Sequence, residues 1–199
     1  MRRLILIEYL SLDGITQAPG HADEDRDGGF AHGGWTGPFI GDHGRWMREA
    51  LNTMGALLLG RRTYEIWAPY WPSVTDPADE VARLLNAVPK YVASRTLRSG
   101  DWAPTTVVRD VPAEIPQLKQ EPGKDIVVMG STELAQTLLD HELVDELRLM
   151  IHPVTLGTGK RLFRDRADMR ALRLIEATTT TSGLATLTYQ PAPGSPSEA

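Results

Sequence analysis

Short apolar runs alternate along the chain with amphipathic stretches, and glycines or prolines mark most of the joints. Residues 3–10 (RLILIEYL) are an apolar run broken only by Glu8 and ended by Ser11-Leu12-Asp13-Gly14, which predicts a strand followed by a turn. Residues 14–44 are polar and glycine-rich, with Gly28-Gly29 and Gly33-Gly34, and predict a long loop. Loops of that length inside a compact domain are usually functional lids or disordered. In 43–54, Trp46, Met47, Ala50, Leu51 and Met54 recur at helical spacing, and 56–59 then forms a buried-strand run closed by Gly60.

The alternation continues. A helix is predicted over 61–67, stopped by Pro69 and Pro72. Another is predicted over 76–87, with Asp76 as N-cap and Pro77 at the first helical position. Strands are predicted at 90–93 and 105–108, with at best a short helix over 111–119. Residues 125–129 form a strongly apolar strand ending at Gly130, and 131–140 a helix with Leu134, Ala135, Leu138 and Leu139 on one face. From Asp145 the period changes to two, as Leu147, Leu149 and Ile151 alternate with Arg148, Met150 and His152. Residues 171–180 and 184–189 read as strands joined by a turn at Ser182-Gly183, and the Pro/Gly/Ser-rich 191–199 as a disordered tail. The expected product is one α/β domain over 1–190, with a mainly parallel sheet, helices on both faces and a C-terminal antiparallel hairpin.

Composition narrows the chemistry. A chain of 199 residues buries enough surface to hold a core without a metal or disulfide. It has no cysteine, which excludes disulfides, thiolate zinc sites, iron–sulfur clusters and a cysteine nucleophile. The net charge of −5 argues against a general nucleic-acid binder but leaves room for a local basic pocket. No signal peptide and no apolar run near the ~20 residues of a membrane span are present, so a cytoplasmic protein without membrane contact is expected. The acidic run around His21, Asp23, Glu24 and Asp25 reads as solvated loop, and His32, His43, His141 and His152 lack ligand spacing, so no metal is expected. Gly157-Thr158-Gly159-Lys160 lacks P-loop spacing and reads as a glycine turn.

Three predicted strand ends carry unusual residues. Ligands of open α/β sheets bind in the crevice outside the carboxyl ends of the strands. Gly60-Arg61-Arg62-Thr63 places two arginines at a helix start, where the dipole opposes them unless an anion lies between. Ser94-Arg95-Thr96 flanks a guanidinium with two hydroxyls, a set suited to a phosphate monoester. Gly130-Ser131-Thr132 opens a helix after an apolar strand, and Ser131 reads either as part of an anion site or as a plain N-cap. A ligand with a pyrophosphate and a further phosphate, such as NADPH, would use all three.

These segments, together with 57–65 (LLLGRRTYE), 126–131 (IVVMGS) and 156–163 (LGTGKRLF), resemble the dihydrofolate reductase-like family that includes the reductase domain of the bifunctional riboflavin-biosynthesis protein, and most closely its stand-alone bacterial members. The likeness runs over about 3–189. It implies a three-layer α/β/α fold with a central sheet of about eight strands, a homodimer, and NADPH lying across the strand ends. On that likeness Gly60, Arg61, Arg62 and Thr63 match the phosphate-binding helix start. Ser94, Arg95 and Thr96 match the segment meeting the adenosine 2′-phosphate, and Gly130, Ser131 and Thr132 the turn beside the pyrophosphate and nicotinamide. Trp35 resembles the tryptophan of a mobile loop over the substrate, with Asp13-Gly14 at the loop's root.

Two departures stand out. Folate reductases carry Gly-Gly where this chain has Gly130-Ser131, and a first-helix carboxylate where the ungapped register puts Gly44, with Asp42 nearby. Both count against folate reduction. The riboflavin-pathway deaminase activity is excluded, since its cysteine-bound zinc site cannot be built. The expected activity is hydride transfer from NADPH to a small heterocycle such as a pterin or a ribosylaminopyrimidine, which includes 5-amino-6-(5-phosphoribosylamino)uracil reduction. Asp13 is the expected proton donor, with Asp42 and Tyr64 in reserve, and Trp35, Tyr64 and Trp67 are the expected substrate contacts. Two other readings compete: a nucleotide-binding dimeric module without turnover, and a sugar-phosphate or mononucleotide enzyme using only the Arg61-Arg62 anion site.

Overall fold

The strands at the middle of the sheet are apolar on both faces because both faces are covered. In the computed structural model, which describes residues 1–165 and 169–192, β1 (Leu4–Ser11) turns Leu4, Leu6 and Leu10 to one layer of helices and Ile5 and Ile7 to the other. The first layer holds α4 (Val111–Gln120) and α5 (Thr132–Asp140), which supply Ile115, Leu118, Leu134 and Leu138. The second holds α1 (Ile40–Leu51), α2 (Arg61–Tyr70) and α3 (Glu80–Ala87), which supply Met47, Leu51, Tyr64 and Leu85.

The remaining strands are β2 (Met54–Gly60), β3 (Lys90–Ala93), β4 (Thr105–Val108), β5 (Asp125–Met129), β6 (Glu146–His152), β7 (Leu172–Thr179) and β8 (Ala185–Pro191). They form one eight-stranded sheet in the order β4-β3-β2-β5-β1-β6-β8-β7. The six strands from β4 to β6 are parallel, and β8 pairs antiparallel with both β6 and β7. This is the expected architecture: a mainly parallel sheet between helical layers, closed by an antiparallel hairpin. Its consequence is geometric, because Ser11, Gly60, Ala93, Val108, Met129 and His152 all end strands on one edge.

Several local expectations give way to tertiary context. α2 runs through Pro69 to Tyr70, since a proline in the last turn costs only one helical bond there, and the chain continues as a 3₁₀ turn, Trp71–Ser73. α3 starts three residues later than predicted, at Glu80 and not Pro77. Asp79, not Asp76, accepts the capping bond, from Ala82 N–H at 2.9 Å, while Asp76 accepts from Ala78 N–H and builds a separate turn. α4 is a full helix despite two prolines. Asp110 caps it through Ala113 N–H, Glu114 accepts from Arg109 and Asp110 N–H at 2.7 Å each, and Pro112 sits in the first turn, where its missing N–H has no helical partner.

The long loop is ordered around its own small core of Ile15, Ala18, Phe30 and Trp35. Pro191 closes β8 and Ala192 N–H bonds Ala171 C=O, so the predicted tail starts as strand; residues 193–199 lie outside the described residues. If Asp79 is the cap, Asp79→Ala costs about 1 kcal/mol in urea unfolding and Asp76→Ala less than half of that. The reverse order would return the cap to Asp76.

Candidate functional site

The shared edge of the parallel strands opens into a cleft of about 1400 Å³. That exceeds the ~300–1,000 Å³ of an ordinary small-molecule site, leaving room for a large ligand and a second one beside it. All three strand-end segments line it: Gly60, Arg61, Arg62 and Thr63; Ser94, Arg95 and Thr96; Gly130, Ser131 and Thr132.

The turns are built in detail to meet there. Gly130 (φ +57°) and Ser131 (φ +64°) take left-handed backbone in succession, which swings Ser131 out of the capping position. Its hydroxyl instead accepts from Gly60 N–H at 2.9 Å and donates to Thr63 Oγ1 at 2.9 Å. Ser131 therefore ties the β5–α5 turn to the start of α2, and its side chain does not act as the plain N-cap of α5. A Cβ on Gly60 would stand 3.2 Å from that of Ser131, so any larger residue would press the two turns apart by a few tenths of an ångström. Ser94 Oγ accepts from Thr96 and Leu97 N–H, and Arg109 donates to the carbonyls of Ser94 and Leu97, which fixes the loop bearing Arg95.

Cations stand at the strand ends of the cleft, most of them paired with acids that also line it. α2 has no acidic residue in its first turn and no side-chain cap. Arg61 pairs with Glu65 at 2.9 Å, and Arg62 with Asp27 of the long loop. Lys160 bonds Asp25 at 2.6 Å and Asp27 at 2.9 Å. Arg62 and Lys160 together hold the Asp27 carboxyl down at about 2. The acidic run, expected to be merely solvated, thus closes over the cleft's cations. Arg95 makes no ion pair among the described residues. Lys160 comes from the glycine turn singled out in the sequence, whereas Arg109 was missed there; it follows β4 directly, so the strand-end rule applied to that strand would have found it.

The other predicted residues divide. Trp67 lines the cleft, its ring 5.8 Å from Trp71. Tyr64 does not: it is buried, and its hydroxyl accepts from Trp102 N–H at 3.0 Å and contacts Thr105 Oγ1 at 3.2 Å. Trp35 also lies off the wall, its indole N–H donating to Gln17 C=O and its ring edge-on to His152 at 5.0 Å. Asp13 accepts from Ser11 Oγ and from Leu156 and Gly157 N–H, bonds that hold its carboxyl at about 2 and pin the loop root to the 156–157 turn. Asp42 is a half-buried residue of α1 bonded to Ser182. Among the carboxyls that line the cleft, Glu8 is the buried one, on β1, with Oε1 lacking any hydrogen-bond partner and pushed up to about 8 by burial and by Glu24. Its sequence signal was a lone charge inside an apolar strand.

A mainly parallel sheet with helix starts and cations gathered at one edge puts the cleft where open α/β sheets bind their ligands, and comparison with known proteins gives the family. Residues 2–186 match the RibD C-terminal domain family, and the chain belongs to it. It is 34% identical over 194 residues to the uncharacterized protein YyaP of Bacillus subtilis, covering 94% of each chain. It is 26% identical over 177 residues to YwjB, also uncharacterized, of the same organism, covering 87% of this chain and 89% of that one. Among solved structures, a putative riboflavin biosynthesis protein from Shewanella superposes with a TM-score of 0.66 at 18% identity, over 96% of this chain and 99% of that one. A diaminohydroxyphosphoribosylaminopyrimidine deaminase/5-amino-6-(5-phosphoribosylamino)uracil reductase from Thermotoga maritima gives 0.62 at 14%, over 96% of this chain and 57% of that one. No helix among the described residues is long and apolar enough to cross a membrane.

Behind the loop, His43 Nε2 and His152 Nε2 meet at 3.0 Å, both buried. Burial and the neighbouring His152 push His43 down to about 4, and burial lowers His152 too. The unfolded chain then binds protons that the native pair refuses, so stability is lost as pH falls from about 6.5 toward 4. His43→Gln is expected to flatten that decline in urea unfolding at pH 4.5 relative to 7; an unchanged slope would mean the pair titrates normally.

Proposed function

We propose that the protein is an NADPH-dependent reductase of a small heterocyclic substrate. The observation that carries this reading is the convergence of three separate strand-end segments, two with arginine and two at uncapped helix starts, on one cleft. The residues fit a dinucleotide with an extra phosphate. The starts of α2 and α5 would take the pyrophosphate on backbone N–H groups, with Gly60 and Gly130 allowing close approach. Arg95 is assigned to the 2′-phosphate, since it is free of ion pairs among the described residues while Arg61 and Arg62 are engaged.

Bound NADPH would supply the hydride. The chain's own contribution is to orient the substrate against Trp67 and to exclude water with the 14–39 loop, whose Asp25 and Asp27 already reach Arg62 and Lys160. Asp13, anionic and committed to the loop root, is an anchor in this reading and not the proton donor. A pyrimidine is the favoured substrate class: the Thermotoga protein is named a uracil reductase, and a Corynebacterium diphtheriae structure of TM-score 0.58 and 14% identity, covering 96% of this chain and 92% of that one, is described as pyrimidine reductase-like. We place the enzyme in the cytoplasm as a homodimer; the exposed Leu172, Leu174 and Ile175 of edge strand β7 are apolar surface that a second copy would cover.

Titrating the protein's tryptophan fluorescence with NADPH and NADH in parallel tests the reading. NADPH is expected to bind far more tightly, and Arg95→Ala to weaken NADPH by roughly 10- to 100-fold, as for loss of a charge-assisted bond, with NADH unchanged. Equal affinities in the wild type would remove the 2′-phosphate site, and no binding of either would remove the reductase.

A further inference from the structure

We propose that Glu8 is the catalytic acid of this cleft, a neutral carboxylic acid that protonates the substrate atom left electron-rich by hydride addition. This deepens the reductase reading and rests on it.

Glu8 stands on the central strand, between β5 and β6, one residue beyond the Ile7–Met129 pair and therefore level with Gly130. It is only 3% exposed and it lines the cleft together with Thr16, Gln17, Gly130 and Thr132. Thr16 and Thr132 close over that end of the cleft through a 2.6 Å hydroxyl–hydroxyl bond. Oε1 has no partner. A structural buried carboxylate would be paired with a cation or with backbone N–H groups, as Glu146 is with Arg3 and Arg148. Glu8 has neither arrangement at Oε1, and the charge acting on it, from the loop residue Glu24, repels a second anion. Lys160, which also lines the cleft, is committed to Asp25 and Asp27. Burial and Glu24 together raise Glu8 to about 8, so it carries its proton at neutral pH.

The chemistry balances. When a C=N or C=O bond accepts the hydride from NADPH, its carbon gains the C–H bond and its π pair moves onto nitrogen or oxygen, leaving oxidised nicotinamide. The Glu8 O–H proton then completes the N–H or O–H bond, and the Glu8 carboxylate regains a proton from solvent.

The test uses the full chain with ¹³C at the glutamate side-chain carboxyl, the Glu8 signal being assigned by its loss in Glu8→Gln. Its titration midpoint is expected near 8 without cofactor. NADP⁺, whose nicotinamide ring is cationic, is expected to lower it by about half a pH unit or more relative to NADPH. A midpoint near 4, or the same midpoint with both cofactors, overturns the proposal. Glu24→Gln, which keeps the acceptor oxygen for Gly20 and His21 N–H, is expected to lower the midpoint.

Turnover gives a second arm, with 5-amino-6-(5-phosphoribosylamino)uracil as probe. Wild-type kcat is expected to fall on the alkaline side with that midpoint. Glu8→Gln should lose at least ~100-fold in kcat together with the alkaline limb, keep its NADPH affinity, and be partly restored as Glu8→Asp. Wild-type kcat in Glu8→Gln, or a parallel loss of NADPH affinity, overturns the proposal. Failure of wild-type protein to bind NADPH is a separate result, read without Glu8, and overturns the reductase reading itself.

Discussion

The insertion of β5 between β1 and β2, all three parallel, is the constraint on which everything else depends. Parallel strands need crossovers, and crossovers lay helices on both faces, so the middle strands become almost wholly apolar. Their carboxyl ends are forced onto one edge, where backbone leaves the sheet, helices start, and polar side chains first become compatible with solvent. A single hydroxyl, that of Ser131, then ties the two central strand ends together through Gly60 and Thr63. The cleft is thus the place where the sheet's own geometry stops excluding polar groups.

That logic explains which features were legible in the sequence. The strands were, because burial on both faces writes continuous apolar runs such as Leu57 to Leu59 and Ile126 to Val128. The three strand-end segments that line the cleft were legible for the same reason, being the first polar residues after those runs. The caps were not: Asp76 and Asp79 are equally good local candidates, and only the packing of α3 chooses between them. Tyr64 and Trp35 sit in sequence beside the expected site, yet their polar atoms are used by Trp102 and Gln17, residues far along the chain. Asp13 was placed correctly at a strand end, but its bonds to Leu156 and Gly157 N–H depend on a loop some 140 residues away.

Glu8 shows the opposite failure, since its signal was present and was read as a blemish in a strand. A charge in the centre of an apolar run is either paired or neutral in the folded protein, because burying an unpaired carboxylate is costly enough to move its protonation instead. The pairing possibilities could be judged only with the sheet assembled. Once assembled, Leu149 of β6 lies alongside on one side and Met129-Gly130 on the other, so neither neighbouring strand places a cation level with Glu8.

The two buried titrating sites act on stability in opposite senses. Glu8 is raised, so the native state holds a proton that the unfolded chain releases above about 4.5; its contribution is fully present below that pH and is lost as pH rises through about 8. His43 is lowered, so its contribution is present above about 6.5 and is lost as pH falls toward 4. Between about 4.5 and 6.5 the two oppose each other, and above 6.5 the Glu8 contribution alone keeps declining. A purely structural core would replace Glu8 with an aliphatic residue and remove that decline. The chain keeps the carboxyl on the part of β1 that lines the cleft, between Ile7 and Tyr9, which is where a proton held at neutral pH is of use to a reduction.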